Sequence, residues 1–216
     1  MPSRGNRYGR YQIFGRPRED IALEGVEGCG KSTHVTRLAD TLGALATREP
    51  GGTVIGATLR GIMADTNNAH LSARAEALMM AADRAQHLHE LVVPTLAGGR
   101  HVVSDRSLYS SLAYQGYGRQ LGVDAVRSFN DFAVAGRWPD LVVYIRLDIA
   151  VVRERLKKRT TDRFEREDDD FFARVTAGFE ELARLEPDRW LVVDGMPPKD
   201  DVQRTIRDGV RERLGI

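Results

Sequence analysis

The run Gly25-Val26-Glu27-Gly28-Cys29-Gly30-Lys31-Ser32-Thr33 fits the pattern G-x-x-x-x-G-K-[ST] without a gap. This pattern constrains the fold, because it works only where a strand feeds a tight loop and the loop opens a helix. Glycines at 25, 28 and 30 let the backbone bend close to an anion and turn its N–H groups inward. Lys31 brings a mobile charge to the outer phosphates, and Ser32 offers a hydroxyl to Mg²⁺. The helix that follows adds free N–H donors and a positive dipole end. The expected triphosphate-binding set is therefore Gly25, Gly28, Cys29, Gly30, Lys31, Ser32 and Thr33.

The flanks agree. Asp20 to Glu24 reads as a strand, and Val35, Leu38, Ala39 and Leu42 recur at helical spacing from Lys31 onward. Gly43 suits a helix C-cap. Further along, short strands are expected at 44–47, 101–105, 139–145 and 190–194. Helices are expected at 55–63, 72–96, 123–136, 149–158, 171–185 and 200–214. Residues 109–118 read as helix giving way to loop. Pro139 to Ile145 is almost wholly apolar after Asp140, as in a strand covered on both faces. About five β-α units in this order predict an α/β fold, a parallel sheet flanked by helices.

In the helix expected at 72–96, Ser72 is the N-cap, and Ala75, Leu78, Ala82, Ala85, Val92 and Leu96 are the expected buried stripe. A second face carries Met80, Arg84 and His87 and can look into a site. By composition alone Arg84 would pair with Asp83 or a neighbour at the surface. Strand 101–105 ends in Asp105, followed by Arg106. An acid at that end of a parallel sheet can hold Mg²⁺ through water. The polar run from Arg159 to Asp170 is either a solvated turn or a lid whose arginines meet phosphates, with the lid at about 159–168.

The 216 residues suit one domain over 19–216, preceded by an appendage. Residues 1–18 hold five arginines and three glycines and read as a loose basic arm, within which Tyr11 to Phe14 could add an edge strand. With 32 basic and 31 acidic side chains the net charge is +1, so nothing draws the chain toward nucleic acid as a whole. One cysteine excludes an internal disulfide, and the start lacks the apolar core of a signal peptide. No run has transmembrane length, so a cytoplasmic protein without membrane partners is expected. His87 and His89 lack a third ligand at metal spacing.

Several motifs fall in one order: Glu24 to Thr33, Thr47-Arg48-Glu49-Pro50-Gly51-Gly52-Thr53, Ala82-Asp83-Arg84-Ala85-Gln86, Asp105-Arg106, Ser110 to Gly116, Pro139-Asp140-Leu141 and Asp162-Arg163-Phe164-Glu165. In that order the chain resembles the bacterial thymidylate kinases over nearly all of 20–214. The resemblance implies the three-layer P-loop kinase fold with a short lid, MgATP as phosphoryl donor, dTMP as acceptor, and a homodimer. It also implies roles. Lys31, Glu27, Arg48, Arg106, Arg159 and Arg163 would serve the transfer, with Arg155 beside the lid. Ser32 and Asp105 would hold Mg²⁺. Glu27, Arg48 and Arg106 would meet the acceptor's phosphate and sugar, and Met80, Arg84, Ser111, Tyr114 and Gln115 its base and sugar.

The sequence departs from the family pattern at four places. Ser107 stands where an aromatic usually follows Asp-Arg, and Met80 where a phenylalanine usually stacks on the base. Ala57 replaces an acid, and Arg146 replaces an aspartate. The altered base pocket leaves open a kinase for another pyrimidine deoxynucleoside monophosphate. A P-loop ATPase or switch is the rival outside the kinases, although a switch needs no second anion site such as Arg48, Arg84 and Arg106 would form.

Overall fold

A computed structural model describes residues 18–156 and 162–216. The arm at 1–17, with its possible edge strand, and Arg159 lie outside the described residues. Five strands form one parallel sheet: β1 (Asp20–Glu24), β2 (Leu45–Arg48), β3 (Val102–Asp105), β4 (Leu141–Arg146) and β5 (Trp190–Asp194). Their spatial order is β2-β3-β1-β4-β5. The central strands are apolar on both faces because helices cover both. Ile21, Val102, Val103, Val142 and Val143 have no exposed surface. In the register, Leu23 and Arg48 both lie beside Asp105, and Glu24 beside Tyr144. Glu24, Arg48 and Asp105 thus leave the sheet at one end, where open α/β sheets bind ligands.

The helices are α1 (Lys31–Leu42), α2 (Val54–Ala64), α3 (Ala73–His87), α4 (Val93–Ala97), α5 (Leu108–Ser111), α6 (Val123–Val134), α7 (Ile149–Leu156), α8 (Asp169–Leu185) and α9 (Lys199–Leu214). Gly43 closes α1 in the left-handed conformation, as its position suggests. Ser72 caps α3, accepting from the Ala75 N–H at 3.2 Å. Asp168 caps α8, accepting from Phe171 N–H at 2.7 Å.

Three expectations change. The helix expected at 72–96 is three pieces, because a π-helical turn at Leu88–Val92 separates α3 from α4. Pro94 in the first turn of α4 has no N–H to give, which favours such a shift of register. The expected apolar stripe on α3 is also wrong. Leu78 is 57% exposed and Ala82 is exposed, while Glu76, Ala77, Ala81, Asp83, Arg84 and His87 are buried. The inner face of α3 meets a polar cleft rather than the apolar core, so its polar side chains turn inward. Finally, Leu112–Gly118 is π-helical rather than loop. π-turns often occur at functional sites, and this one carries Tyr114 and Gln115.

Candidate active site

The phosphate loop is built for an anion. Gly30 is the N-cap of α1 at φ 101°, and no side chain caps the helix. Its first amides are therefore left for a ligand. Gly25 stands at φ 142°, and a Cβ there would lie 2.7 Å from the Ile145 carbonyl oxygen, so no side chain fits. Lys31 is buried, and its Nζ donates to the carbonyls of Gly25 and Val26, both at 2.9 Å. The ammonium is thus already folded over the loop. Ser32 Oγ donates to Asp105 Oδ2 at 2.6 Å, which brings the loop hydroxyl to the acid at the end of β3.

Arg106 follows Asp105 at φ 77°, an unusual conformation for a long side chain. Such strain tends to cluster at functional sites. Its guanidinium donates to Glu27 Oε1 at 2.6 Å, Ser110 Oγ at 3.0 Å and the Gly25 carbonyl at 3.2 Å, and lies over the Tyr114 ring. Tyr114 donates its phenol proton to Glu27 Oε2 at 2.5 Å. Burial pushes the Glu27 carboxyl up, but the charges of Arg106 and Lys31 outweigh it and hold Glu27 below the usual range. Glu27 therefore stays ionised and faces Arg106 and Tyr114.

Beneath this layer Glu24 has no exposed surface. It accepts from the Ser107 N–H and hydroxyl at 2.8 and 2.7 Å, and from the Ser110 N–H and hydroxyl at 3.2 and 2.6 Å. Burial raises its pKa against the opposing charge of Arg106 and these hydroxyls. Ser107 thus has a clear use here, since its short side chain brings a hydroxyl donor to Glu24 that a phenylalanine would lack.

A second cluster reaches in from α3. Arg84 Nε donates to Glu49 Oε2 at 2.7 Å, and Glu49 Oε1 lies 2.8 Å from His87 Nδ1. Three further guanidinium hydrogens go to Ser111 Oγ at 3.0 Å, the Ser107 carbonyl at 2.9 Å, and Asn130 Oδ1. The surface pairing with Asp83 suggested by composition is therefore corrected. Asp83 turns the other way and accepts the Gly51 N–H at 2.9 Å. Burial pushes Glu49 up, but the Arg84 charge and the His87 hydrogen bond bring it below its ordinary value. His87 moves the opposite way: burial favours its neutral form, yet Glu49 raises its pKa overall.

Part of each cluster opens onto one cavity of about 500 Å³. Glu27, Gly28, Gly30, Lys31, Ser32, Thr33, Arg48, Met80, Arg84, Asp105, Arg106, Ser111, Tyr114 and Gln115 all line it. Gly25 and Cys29 do not; Gly25 shapes the loop from below, and Cys29 is buried. Arg60 of α2 also lines the cavity and was not picked out in the sequence. Burial and then the nearby Arg48 charge lower its pKa, against the opposing charges of Asp162 and Asp105. Its only signal was a position one turn after Gly56 on a helix whose apolar pattern hides it.

The lid reading of Arg163 needs correction. Its Nε donates to the Met63 carbonyl at 2.7 Å, and it forms an ion pair with the fully buried Glu76. It is itself 9% exposed and does not line the cavity. A buried carboxylate holds this arginine more strongly than an open loop could. Arg155 of α7, by contrast, donates to the Gly28 carbonyl at 2.9 Å, directly on the phosphate loop.

Among the described residues no helix is long and apolar enough to cross a membrane. A family model described as thymidylate kinase matches residues 23–206. The chain is 39% identical over 207 residues to a thymidylate kinase of Desulfovibrio desulfuricans, covering 90% of this chain and 95% of that protein. It is 43% identical over 199 residues to one of Solidesulfovibrio magneticus, covering 86% and 95%. To one of Staphylococcus haemolyticus it is 40% identical over 188 residues, covering 84% and 92%. A family model matched over most of the chain, and relatives about 40% identical along nearly their whole length, show that this chain belongs to the thymidylate kinase family.

Proposed function

We propose that the protein transfers the γ-phosphoryl group of ATP to dTMP, giving dTDP and ADP. The observation that carries this reading is the single cavity holding both a phosphate loop and a separate arginine cluster. An acceptor phosphate oxygen attacks the γ-phosphorus, and the bond to the bridging oxygen of ADP breaks. The acceptor phosphate is already ionised, so positioning and charge matter more than a base.

Lys31 and the loop amides hold the β- and γ-phosphates. Arg106, Arg48 and Arg60 receive the acceptor phosphate, because planar guanidinium forks bind phosphate oxygens in pairs. Glu27 keeps Arg106 and Tyr114 in place beside the sugar. Arg84 and Ser111 meet the base edge, with Met80 against its face and Gln115 nearby. With Arg163 turned away, Arg155 is the described arginine placed to reach the phosphate loop from α7.

Ser32 and Asp105 would hold Mg²⁺. They are adjacent hard oxygen donors, and Mg²⁺ favours one or two such groups plus water and substrate phosphates. When bound, the ion neutralises charge on the phosphates. A homodimer is part of the reading. It is supported by exposed apolar side chains on packed neighbours α2, α3 and α6: Val54 at 85%, Leu78 at 57% and Phe132 at 89%. So is a cytoplasmic setting, in keeping with the one buried free thiol.

The test is ATP turnover with dTMP, dUMP, dCMP, dGMP and UMP against a control without acceptor. Stimulation by dTMP is expected. Stimulation by a different pyrimidine nucleotide alone would mean that Met80 belongs to a retuned base pocket. Full turnover without acceptor would replace the kinase reading by an ATPase.

A further inference from the structure

Glu76 lies in the first turn of α3, has no exposed surface, and is two turns before Arg84 on that helix. Its Oε1 accepts from Gln115 Nε2 at 2.8 Å and from Arg119 Nε at 3.3 Å. Its Oε2 accepts from Arg119 at 3.1 Å and from Arg163 at 2.5 Å. Arg119 continues to Glu167 at 2.5 Å. Two carboxylates and two guanidiniums thus form a neutral network that joins α3, the π-helical turn and the segment 162–167.

Burying one carboxylate under two arginines is weak evidence of stability by itself, since desolvation offsets much of the attraction. The placement is more informative. Arg163 is bound on both sides: its backbone N–H and Nε donate to the carbonyls of Ala64 and Met63 at 3.2 and 2.7 Å, and its terminal nitrogen to Glu76. Its neighbours Asp162, Phe164 and Glu165 line the active cavity, as does Gln115 on the other arm of the network. Arg163 also lies over the Phe164 ring at 4.6 Å.

We propose that Glu76 is a positioning residue for the acceptor half of the site, fixing 162–165 and Gln115 as cavity wall through Arg163 and its own hydrogen bonds. This rests on the reading of the cavity as a dTMP-binding kinase site. Glu76 itself does not line the cavity. Without its charge, Arg163 and Arg119 lose the anion they share, and the wall loses its register with α3. Among the described residues no hydrogen bond or ion pair joins Glu76, Arg119 or Arg163 to the loop that holds ATP, so ATP binding should be spared.

The experiment compares Glu76→Gln, Arg163→Lys and the double variant by separate KM values for dTMP and ATP, kcat, and thermal unfolding. Each single change should raise KM for dTMP about tenfold or more while KM for ATP stays within about twofold. The double variant should fall well short of the product of the two single effects, because both changes disturb the contact that Glu76 and Arg163 share. Equal shifts in the two KM values, no shift in either, or multiplied effects in the double variant would overturn the proposal. If Glu76→Gln does not fold, Arg163→Lys decides by the same pair of KM values. A wild-type protein that dTMP fails to stimulate would instead refute the acceptor assignment.

Discussion

Glu49→Gln isolates the buried charge on which Arg84 depends. Arg84 and Glu49 are 2% and 5% exposed and meet at 2.7 Å, with His87 on the second carboxylate oxygen. Glutamine keeps the shape but places an NH₂ against a guanidinium or an imidazole. Arg84 would then face only neutral acceptors: Ser111, Asn130 and the Ser107 carbonyl. Breaking a buried pair by removing one partner costs about 3–5 kcal/mol. For a chain of this size, each kcal/mol moves Tm by about 2–4 °C. A fall of roughly 6–20 °C at pH 7 is expected, with KM for dTMP rising more than KM for ATP.

The pH dependence follows from linkage. Glu49 has a depressed folded pKa, so its contribution is present above about 4.5 and is lost as pH falls through the folded value. The gap between wild type and Glu49→Gln should therefore close in acid. Unfolding curves from pH 3 to 8, with acceptor KM at pH 7, make the assay. A gap under about 2 °C at neutral pH, or one that widens in acid, would refute the claim that Arg84 is held by this charge.

Asp20 is 6% exposed, and burial followed by the charges of Asp140 and Glu49 raises its pKa to about 7. A raised acid stabilises the fold fully below its unfolded pKa, and the contribution falls as pH rises from there to about 7. Asp20→Asn should thus gain stability relative to wild type between pH 4 and 7, with a constant difference above; a pH-independent difference would sink this. Phe132→Glu places a charge on the most exposed large apolar side chain among the described residues. Wild type should scatter light as twice 24.1 kDa and the variant as about one copy; a monomeric wild type would end the dimer reading.

What could be read in advance was local. The phosphate loop, β1 and α1 follow from one contiguous motif, and Asp105 stands out because strand and acid are adjacent in sequence. Arg84 was legible as a residue but not in its partner, for Glu49 lies 35 positions away. The Glu76–Arg163 contact spans 87 positions, and no periodicity announces it. The clearest failure, the apolar stripe on α3, has the same physical origin. Periodicity identifies two faces of a helix and assumes that the apolar one turns inward. On α3 the inner face must satisfy Glu49, Gln115 and Arg163, and a buried carboxylate or guanidinium without partners costs more than an exposed leucine. Glu76, Arg84 and His87 therefore take the inside, and Leu78 and Ala82 go outside. The inversion leaves Leu78 on the outer face of α3, beside a neighbour α6 that exposes Phe132, and such an apolar outer face fits the second copy proposed against these helices.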